Sequence, residues 1–187
     1  MIKSRKEYRD YQAVEFKWGG VKEFLFPSPS IAFIKALRKL EYHYNTPGIW
    51  HKIMVFFAWR RWSRISYRSG ISIPKNVCGK GLTIPHHGSI VVNAACRIGD
   101  NCMIQNNVNI GANGGSLKAP RIGRDVYIGP GAVIFGDIEI ADGCYIGANA
   151  VVNKTVVEPN SVIVGVPGVV KKTDPIHWWH KNGLIRE

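Results

Sequence analysis

The chain has 187 residues, of which 45% are hydrophobic, and a formal net charge of +12 at pH 7. This length is enough to bury one domain core and to carry an appendage. The most apolar run, residues 53–59, is far shorter than the roughly 20 residues of a membrane-spanning helix, and nothing resembles a signal peptide. We therefore expect a cytoplasmic protein.

The positive charge is concentrated in residues 1–70, which hold 14 Lys and Arg against 5 Asp and Glu. Residues 71–187 hold 11 against 8. A basic segment favours an anionic partner, either lipid headgroups or nucleic acid. Because the chain carries no recognition motif for nucleic acid, we expect none as a partner.

Residues 1–70 form the first predicted unit, a basic helical region. Ser28 before Pro29 predicts the start of a helix, and Pro47-Gly48 predicts its end. A second amphipathic stretch, residues 48–68, mixes Trp and Phe with Arg, as interfacial membrane helices do. It predicts either a peripheral membrane contact or a helix that packs on the next domain or on another subunit; we favour packing.

The next segment repeats every six residues. Its aliphatic positions are Val92, Ile98, Ile104 and Ile110, then Ile122, Ile128, Ile134, Ile140, Ile146 and Val152. Small or compact apolar residues follow at the fourth place after most of these positions: Cys96, Cys102, Val108, Val126, Ala132, Ile138, Cys144 and Ala150. A short fixed period predicts a solenoid. Three hexads would complete one triangular coil of short parallel strands around the aliphatic side chains.

Three of the four cysteines occupy the small inward positions of this repeat, namely Cys96, Cys102 and Cys144. The chain has no CxxC pair and no dense cysteine framework. Small buried thiols in a reducing compartment are therefore a better interpretation than disulfides or metal ligands.

The stretch from about Ile73 to Val170 resembles the hexapeptide acyltransferases, and within them the serine acetyltransferase branch. The motifs that carry this resemblance are GKGLTIPHHGSIVVN (79–93), NCMIQNNVNIGANGG (101–115), RIGRDVYIGPGAVIFGDIEIADGCYIGANAVV (121–152) and GVPGVVKK (165–172). It implies a left-handed parallel β-helix over residues 71–170, acetyl-CoA as co-substrate, and a homotrimer. Residues 171–187 are expected to form a helical tail.

The resemblance also implies the catalytic base. In the family pattern a histidine stands four residues ahead of an Ile-Val-Val strand, and His86 occupies that position here. His87 is the second choice. An imidazole that titrates near neutral pH can take the proton of an attacking hydroxyl.

The same resemblance places coenzyme A against the later coils. Glycine and alanine there let a ligand approach the backbone. At the end of the coil, Lys171 and Lys172 would complement the charge of the coenzyme A phosphates. The expected binding residues are Gly111, Ala112, Gly129, Pro130, Gly147, Ala148, Gly165, Pro167, Lys171 and Lys172. The loop 111–121 interrupts the repeat and matches the family loop that covers a neighbour's active site.

The chain departs from serine acetyltransferases at the residues expected to hold serine. Their Asp-Ile-His-Pro string is replaced by residues 71–74, Ile-Ser-Ile-Pro, and their Arg-His-Pro by residues 118–120, Lys-Ala-Pro. Pro85 stands where they have an acidic residue. Because specificity rests on paired polar contacts, serine would be hard to bind without these residues. Their loss resembles the branch of the family found in polysaccharide gene clusters, and this resemblance implies a sugar of a surface polysaccharide or exopolysaccharide as acceptor. Serine O-acetylation in cysteine biosynthesis is the alternative, and a non-catalytic structural solenoid is the alternative of another class.

A zinc enzyme is a poor interpretation of the same repeat. A catalytic zinc normally has three protein ligands, and residues 70–170 contain no histidine besides His86 and His87. His177 and His180 could share one face of a C-terminal helix, but no third ligand is evident. We expect no metal.

Overall fold

The structure, a computed structural model, describes residues 1–16 and 27–173. Three helices precede the repeat: α1 (Arg5–Glu15), α2 (Pro29–Asn45) and α3 (Ile49–Ser69). As predicted, α2 begins after Ser28, whose hydroxyl accepts the Ile31 N–H. Gly48 precedes α3 and Gly70 follows it, both with positive φ, a conformation that glycine adopts without strain.

The repeat forms three sheets of short strands. Sheet S1 contains β1 (Ile71–Ser72), β2 (Ile90–Val92), β5 (Asn109–Gly111), β8 (Val133–Phe135) and β11 (Val151–Val152). Sheet S2 contains β4 (Met103–Ile104), β7 (Tyr127–Ile128), β10 (Tyr145–Ile146), β12 (Ser161–Val164) and β13 (Val169–Thr173). Sheet S3 contains β3 (Arg97–Ile98), β6 (Arg121–Ile122) and β9 (Glu139–Ile140).

Equivalent strands of successive coils pair in parallel. Tyr127 lies opposite Tyr145 in S2, and Val133 opposite Val151 in S1, so one coil takes eighteen residues. Three hexads therefore make one turn, as the period predicts. Where the loop after β5 is included, the paired residues are six positions further apart in the sequence, as Asn109 and Val133 are.

The aliphatic residues of the repeat line the interior. None of the ten predicted axial residues is more than 4% exposed, and half of them are completely buried. Their side chains belong to one continuous core with the small residues that follow them. Burial of aliphatic surface along the axis is therefore the main stabilising term of the coil.

The four cysteines are buried and free, as the repeat predicts. Burial raises the pKa of the Cys102 thiol to about 12, against a smaller lowering by the Val126 backbone. Burial also raises the pKa of Cys96, to about 11. Such thiols stay protonated at neutral pH and are poor nucleophiles.

Helix α2 covers the open end of the first coil. Phe33 and Leu37 are fully buried and belong to the same core as Ile71 and Ile73. The aromatic helix α3 packs as well, as favoured from the sequence: it lies against α2 and β1, and Trp62 and Ile65 are partly buried against the same core. Most of the large apolar residues on α3 are exposed.

A buried arginine joins the helices to the coil. The Arg38 guanidinium of α2 donates to Glu15 of α1 at 2.7 Å and to Glu41 at 2.8 Å. It also donates to the backbone carbonyls of Cys78 and Gly79 at the start of the coil. Burial lowers the pKa of Arg38, but the two carboxylates outweigh this effect and raise it, so the guanidinium stays charged.

The coil ends in a hairpin. Strand β13 runs antiparallel to β12, with Lys172 opposite Val162. Residues 171–173, the first part of the tail predicted to be helical, thus lie in a strand. Residues 174–187 lie outside the described ranges. Within those ranges, no helix is both long and apolar enough to cross a bilayer.

Candidate active site

The histidine pair lies at a corner where the chain passes from the S2 side of the coil to S1. Thr83 bridges Met103 of S2, and Val91 pairs with Asn109 of S1. Val91 comes eight positions after Thr83 in the chain, whereas Asn109 comes only six positions after Met103. The histidine corner is thus two residues longer than the corner stacked on it, and the added length lets it project from the coil.

Both imidazoles of this corner are exposed. His86 and His87 lie between Pro85 and Gly88 in the extended corner. Among residues 1–16 and 27–173, no side chain hydrogen-bonds to or pairs with either ring. Each ring is therefore open to a ligand. The geometry of a single subunit does not distinguish the first choice from the second.

The backbone around the histidines is held by the end of α3. The Gly88 N–H donates to the Ser69 carbonyl at 3.1 Å, and the Ile90 N–H donates to the Gly70 carbonyl at 3.0 Å. Gly88 has a φ of 147°, which a residue with a side chain rarely adopts. The corner is thus an exposed loop on a fixed base, the usual arrangement of a functional loop.

A column of small residues lies on the same side of the coil and begins one coil beyond the corner that stacks on the histidines. Gly129 and Pro130 follow β7, and Gly147 and Ala148 follow β10, each where the chain passes from S2 to S1. The glycines are buried, whereas Pro130 and Ala148 are exposed. The structure thus brings these four predicted binding residues together on the side of the coil that carries the histidines.

The glycines of this column also have a packing role. A Cβ atom at Gly129 would lie 2.7 Å from the Ala148 nitrogen, and one at Gly147 would lie 2.8 Å from the Val164 side chain. Such contacts are too close for successive coils to stack. The need for glycine at both positions therefore follows from the fold, whether or not a ligand binds there.

Gly111 and Ala112 lie at the opposite edge of S1. Gly111 ends β5 and pairs with Phe135 of the next coil. The nearest atom to a Cβ built at Gly111 is the Asn109 side-chain oxygen, at 3.6 Å, which is an ordinary contact. Glycine is thus not required by packing at residue 111, in contrast to Gly129.

The loop after Gly111 leaves the coil as predicted. The next strand begins only at Arg121, and Leu117 near the loop's tip is 94% exposed. The loop returns through Ala119, which is buried against the core. An exposed salt bridge of 2.6 Å joins Lys118 to Asp137 of the following coil.

The last predicted binding residues lie at the end of the coil. The Val151 N–H donates to the Gly165 carbonyl at 3.0 Å, so the turn after β12 is seated on β11. Pro167 is exposed in this turn. Lys171 and Lys172 are exposed on β13. These residues form the C-terminal end of the same side of the coil.

Three of the positions that depart from the serine acetyltransferase pattern carry no charge in this chain. Ile71 and Ile73 are completely buried and point into the core, where they pack with α2. Pro85 is exposed beside the histidines but carries no charge. These three side chains therefore cannot bind a charged substrate.

Sequence reasoning missed an aromatic pair on the outer face of S2. The rings of Tyr127 and Tyr145 stack at 4.5 Å between centroids, with 5° between their planes. Met103 of the preceding coil packs in the same cluster. Burial raises the pKa of the Tyr127 hydroxyl. The pair could have been predicted, because the two tyrosines are eighteen residues apart, which is the length of one coil.

The described ranges contain no group of three His, Cys, Asp or Glu side chains that could hold a metal ion. His177 and His180, the pair considered for a metal in the tail, lie outside these ranges. The site that the structure describes is therefore built from imidazole, backbone and small side chains.

Comparisons with known proteins agree with this architecture. Residues 119–154 match the family model described as bacterial transferase hexapeptide (six repeats). The serine acetyltransferase of Mycobacterium tuberculosis (strain ATCC 25618 / H37Rv) is 35% identical over 146 residues, which are 70% of this chain and 63% of that protein. The serine acetyltransferase of Staphylococcus aureus (strain Mu50 / ATCC 700699) is 38% identical over 125 residues, 65% of this chain and 58% of that protein.

Solved structures give the same result. The serine acetyltransferase of Brucella abortus strain S19 superposes with a TM-score of 0.71 at 25% identity, covering 89% of this chain and 69% of that one. Soybean serine acetyltransferase apoenzyme superposes with a TM-score of 0.73 at 26% identity, covering 88% and 69%. The chain spans about three fifths of the length of the curated relatives it matches. Residues 119–154 are thus similar to the hexapeptide transferases, and the proteins that the chain resembles over most of its length are serine acetyltransferases.

Proposed function

We propose that this protein is an acetyl-CoA-dependent O-acetyltransferase. The observation that carries the proposal is the exposed histidine pair, on an extended corner on the same side of the coil as the column of small residues that contains Gly129 and Gly147. The names of the relatives, which are serine acetyltransferases, support the same reaction. We propose further that the coil is left-handed, as the family resemblance implies, and that the enzyme works in the cytoplasm.

In the proposed reaction His86 is the general base. Its neutral imidazole accepts the proton of the acceptor hydroxyl while the hydroxyl oxygen attacks the thioester carbonyl of acetyl-CoA. The new C–O bond gives a tetrahedral intermediate, which collapses with cleavage of the C–S bond. The imidazolium returns its proton to the leaving CoA sulfur, so the products are the acetyl ester and free CoA.

The proposed assembly is a homotrimer. The family resemblance implies a site shared between adjacent coils, and the exposure of His86 and His87 in one subunit is consistent with such a site. The loop 111–121 is proposed to contribute to a neighbour's site, and the almost complete exposure of Leu117 leaves its side chain available for such a contact. A water-excluding wall from the neighbour would strengthen every polar contact to the reacting atoms.

Coenzyme A is proposed to lie along the histidine side of the coil. The pantetheine arm would run past Pro130 and Ala148, whose small exposed side chains leave the backbone accessible. The phosphates would lie near Lys171 and Lys172 at the end of the coil, where cations complement their charge. Because the proposed site is shared between adjacent coils, Gly111, at the other edge of S1, would line the groove from the neighbouring subunit.

The substitution Gly111→Val tests the proposed groove without disturbing the stacking of coils. Because a Cβ at this residue meets no atom closer than 3.6 Å, we expect the melting temperature to stay near that of the wild type. The valine side chain would occupy ligand space, so KM for acetyl-CoA should rise about tenfold and KM for the acceptor should not. Steady-state kinetics against both substrates measures this difference. An unchanged KM for acetyl-CoA would remove Gly111 from the groove.

The names of the relatives favour L-serine as the acceptor over the sugar that the sequence analysis put first. Both acceptors present a primary or secondary hydroxyl to the same base, so the reaction is common to them. Serine differs in carrying an ammonium and a carboxylate, each of which must be paired on binding. L-serine is therefore the first acceptor to test.

A saccharide is the second candidate, and one observation favours it. The side chains at Ile71 and Ile73, where the family resemblance places an aspartate and a histidine, are completely buried in the core. Pro85 removes a further acid beside the histidines. An uncharged polyol needs none of these charges, so a sugar of a surface polysaccharide or exopolysaccharide fits their loss.

The acceptor is identified by release of free CoA from acetyl-CoA, with L-serine, simple sugars and nucleotide sugars assayed in parallel. Turnover with serine alone would support a divergent serine acetyltransferase and would contradict the saccharide proposal. Turnover with a saccharide alone would support the second candidate. If none of the acceptors increases CoA release above the rate of hydrolysis, O-acetylation of these acceptor classes is wrong.

A further inference from the structure

The outer face of α3 carries a large apolar surface in its first half. Its exposed residues are Ile49, Trp50, Ile53, Phe56 and Phe57. Each of the five is about half exposed or more, with Ile49 at 76%. Aromatic side chains of this size rarely remain exposed together in the absence of a partner.

The second half of the same face is cationic. Arg60 and Arg64 continue the stripe of Phe56 and Phe57 at intervals of four and seven residues, and Arg61 and Arg68 flank it. The Arg60 guanidinium lies 5.8 Å from the Phe56 ring centroid, where the two halves meet. A cleft of about 360 Å³ opens among Phe57 and the arginines.

The inner face of α3 is used for packing, so the helix cannot rotate to bury its aromatics. Ala58 and Ser69 are buried, and Trp62 and Ile65 pack against the core. The end of the helix is fixed by the Gly88 N–H, which donates to the Ser69 carbonyl at 3.1 Å. The apolar and cationic surface is therefore a permanent external feature.

The charge of the helix indicates what covers this surface. Residues 49–69 contain Lys52 and four arginines but no Asp or Glu. A second copy docked through the same face would bring arginine against arginine, which is unfavourable. An anionic bilayer accepts both halves, because the aromatic residues enter the interface while the arginines contact phosphate groups.

We propose that the outer face of α3 binds the surface of an anionic lipid bilayer, with the helix lying along the interface. This is the peripheral membrane contact predicted for residues 48–68, now assigned to one face of the helix. The proposal goes beyond acetyl transfer and does not depend on it. Its geometric consequence is that the histidine corner lies close to the membrane-bound helix, because α3 ends on the backbone of that corner.

The distance between the two sites follows from helix geometry. Twelve residues separate Phe57 from Ser69, which corresponds to about 18 Å at 1.5 Å rise per residue. The histidine corner would thus stand about 20 Å from the apolar contact. Membrane binding would in this way hold the corner near the headgroups of lipid-linked molecules.

Flotation of the whole protein with vesicles tests the proposal. We expect it to float with vesicles of equal parts phosphatidylglycerol and phosphatidylcholine, to stay behind with pure phosphatidylcholine, and to be released by high salt. The substitution Phe56→Ser with Phe57→Ser should abolish flotation. Arg60→Gln and Arg64→Gln should each weaken binding about fivefold. All these residues are exposed, so the melting temperature should not change.

Arg121→Gln is the matched control, because it removes one exposed charge from S3, away from α3. It should bind vesicles almost as well as the wild type. The proposal is overturned if the protein does not float with anionic vesicles, or if Arg121→Gln weakens binding as much as Arg60→Gln. It is also overturned if Phe56→Ser with Phe57→Ser changes the oligomeric mass instead, since α3 would then be an interface between copies of this chain.

Discussion

Replacing His86 with alanine is expected to lower kcat for acetyl transfer by about 100- to 10,000-fold, the usual contribution of a general base. The fold should not change, because the His86 side chain is exposed and lies on a corner held by backbone hydrogen bonds. KM for acetyl-CoA should stay within about twofold, since the imidazole acts on the acceptor hydroxyl. Steady-state CoA release and thermal unfolding together measure these effects.

His87→Ala is the matched control, since it removes the same side chain from the next residue of the same exposed corner. We expect it to retain most of the activity. If His87→Ala loses activity and His86→Ala does not, the base is the second choice and the register of the motif is wrong. Near-normal turnover of both variants would remove histidine catalysis from the mechanism.

Arg38→Ala is expected to lower the free energy of unfolding by about 3–5 kcal/mol, a typical loss when one partner of a buried ion pair is removed. The substitution would leave the carboxylates of Glu15 and Glu41 without their guanidinium. It would also remove the donors to the carbonyls of Cys78 and Gly79. Denaturant unfolding measures the loss.

Lys39→Ala provides the control for Arg38→Ala, because Lys39 is the next residue of α2 and is exposed. It should change the free energy of unfolding by less than about 0.5 kcal/mol. Adding Glu15→Gln to Arg38→Ala should recover part of the loss by removing one unpaired charge. If Arg38→Ala and Lys39→Ala changed the free energy of unfolding equally, the buried ion pairs of Arg38 with Glu15 and Glu41 would not have the stabilising role given to them.

The coil could be predicted from the sequence because two independent constraints act on the same residues. The axial aliphatics must be buried, and the glycines must allow close stacking of backbones. Ile128 is completely buried, and a side chain at Gly129 would collide with the next coil. A six-residue period that satisfies both constraints has few other structural solutions.

The packing of the helices was less predictable. Both α2 and α3 are amphipathic, and the sequence indicates an apolar stripe on each but not how deeply each helix is buried against the coil. Arg38 is an example of a residue whose burial the sequence did not predict, because a single arginine on a helix is usually exposed. Only its long-range partners, Glu15 and the carbonyls of Cys78 and Gly79, explain its complete burial.

The histidine corner was identified by motif position rather than by chemistry. Nothing in the period distinguishes His86 from His87, and both are exposed in one subunit. The structure adds that this corner is two residues longer than the one stacked on it and stands on the same side of the coil as the column with Gly129. The acceptor could not be predicted in the same way, because in the proposed trimer part of the site would come from a neighbouring subunit.

The most direct test of the account is equilibrium binding of CoA to the purified protein, followed by the melting temperature at saturation. The account predicts specific binding, and a ligand at about a hundred times its Kd should stabilise the fold by about 2.7 kcal/mol. Gly111→Val should weaken this binding, whereas His86→Ala should retain it. Absence of CoA binding to the wild-type protein would contradict the account and leave a structural solenoid with an idle histidine corner.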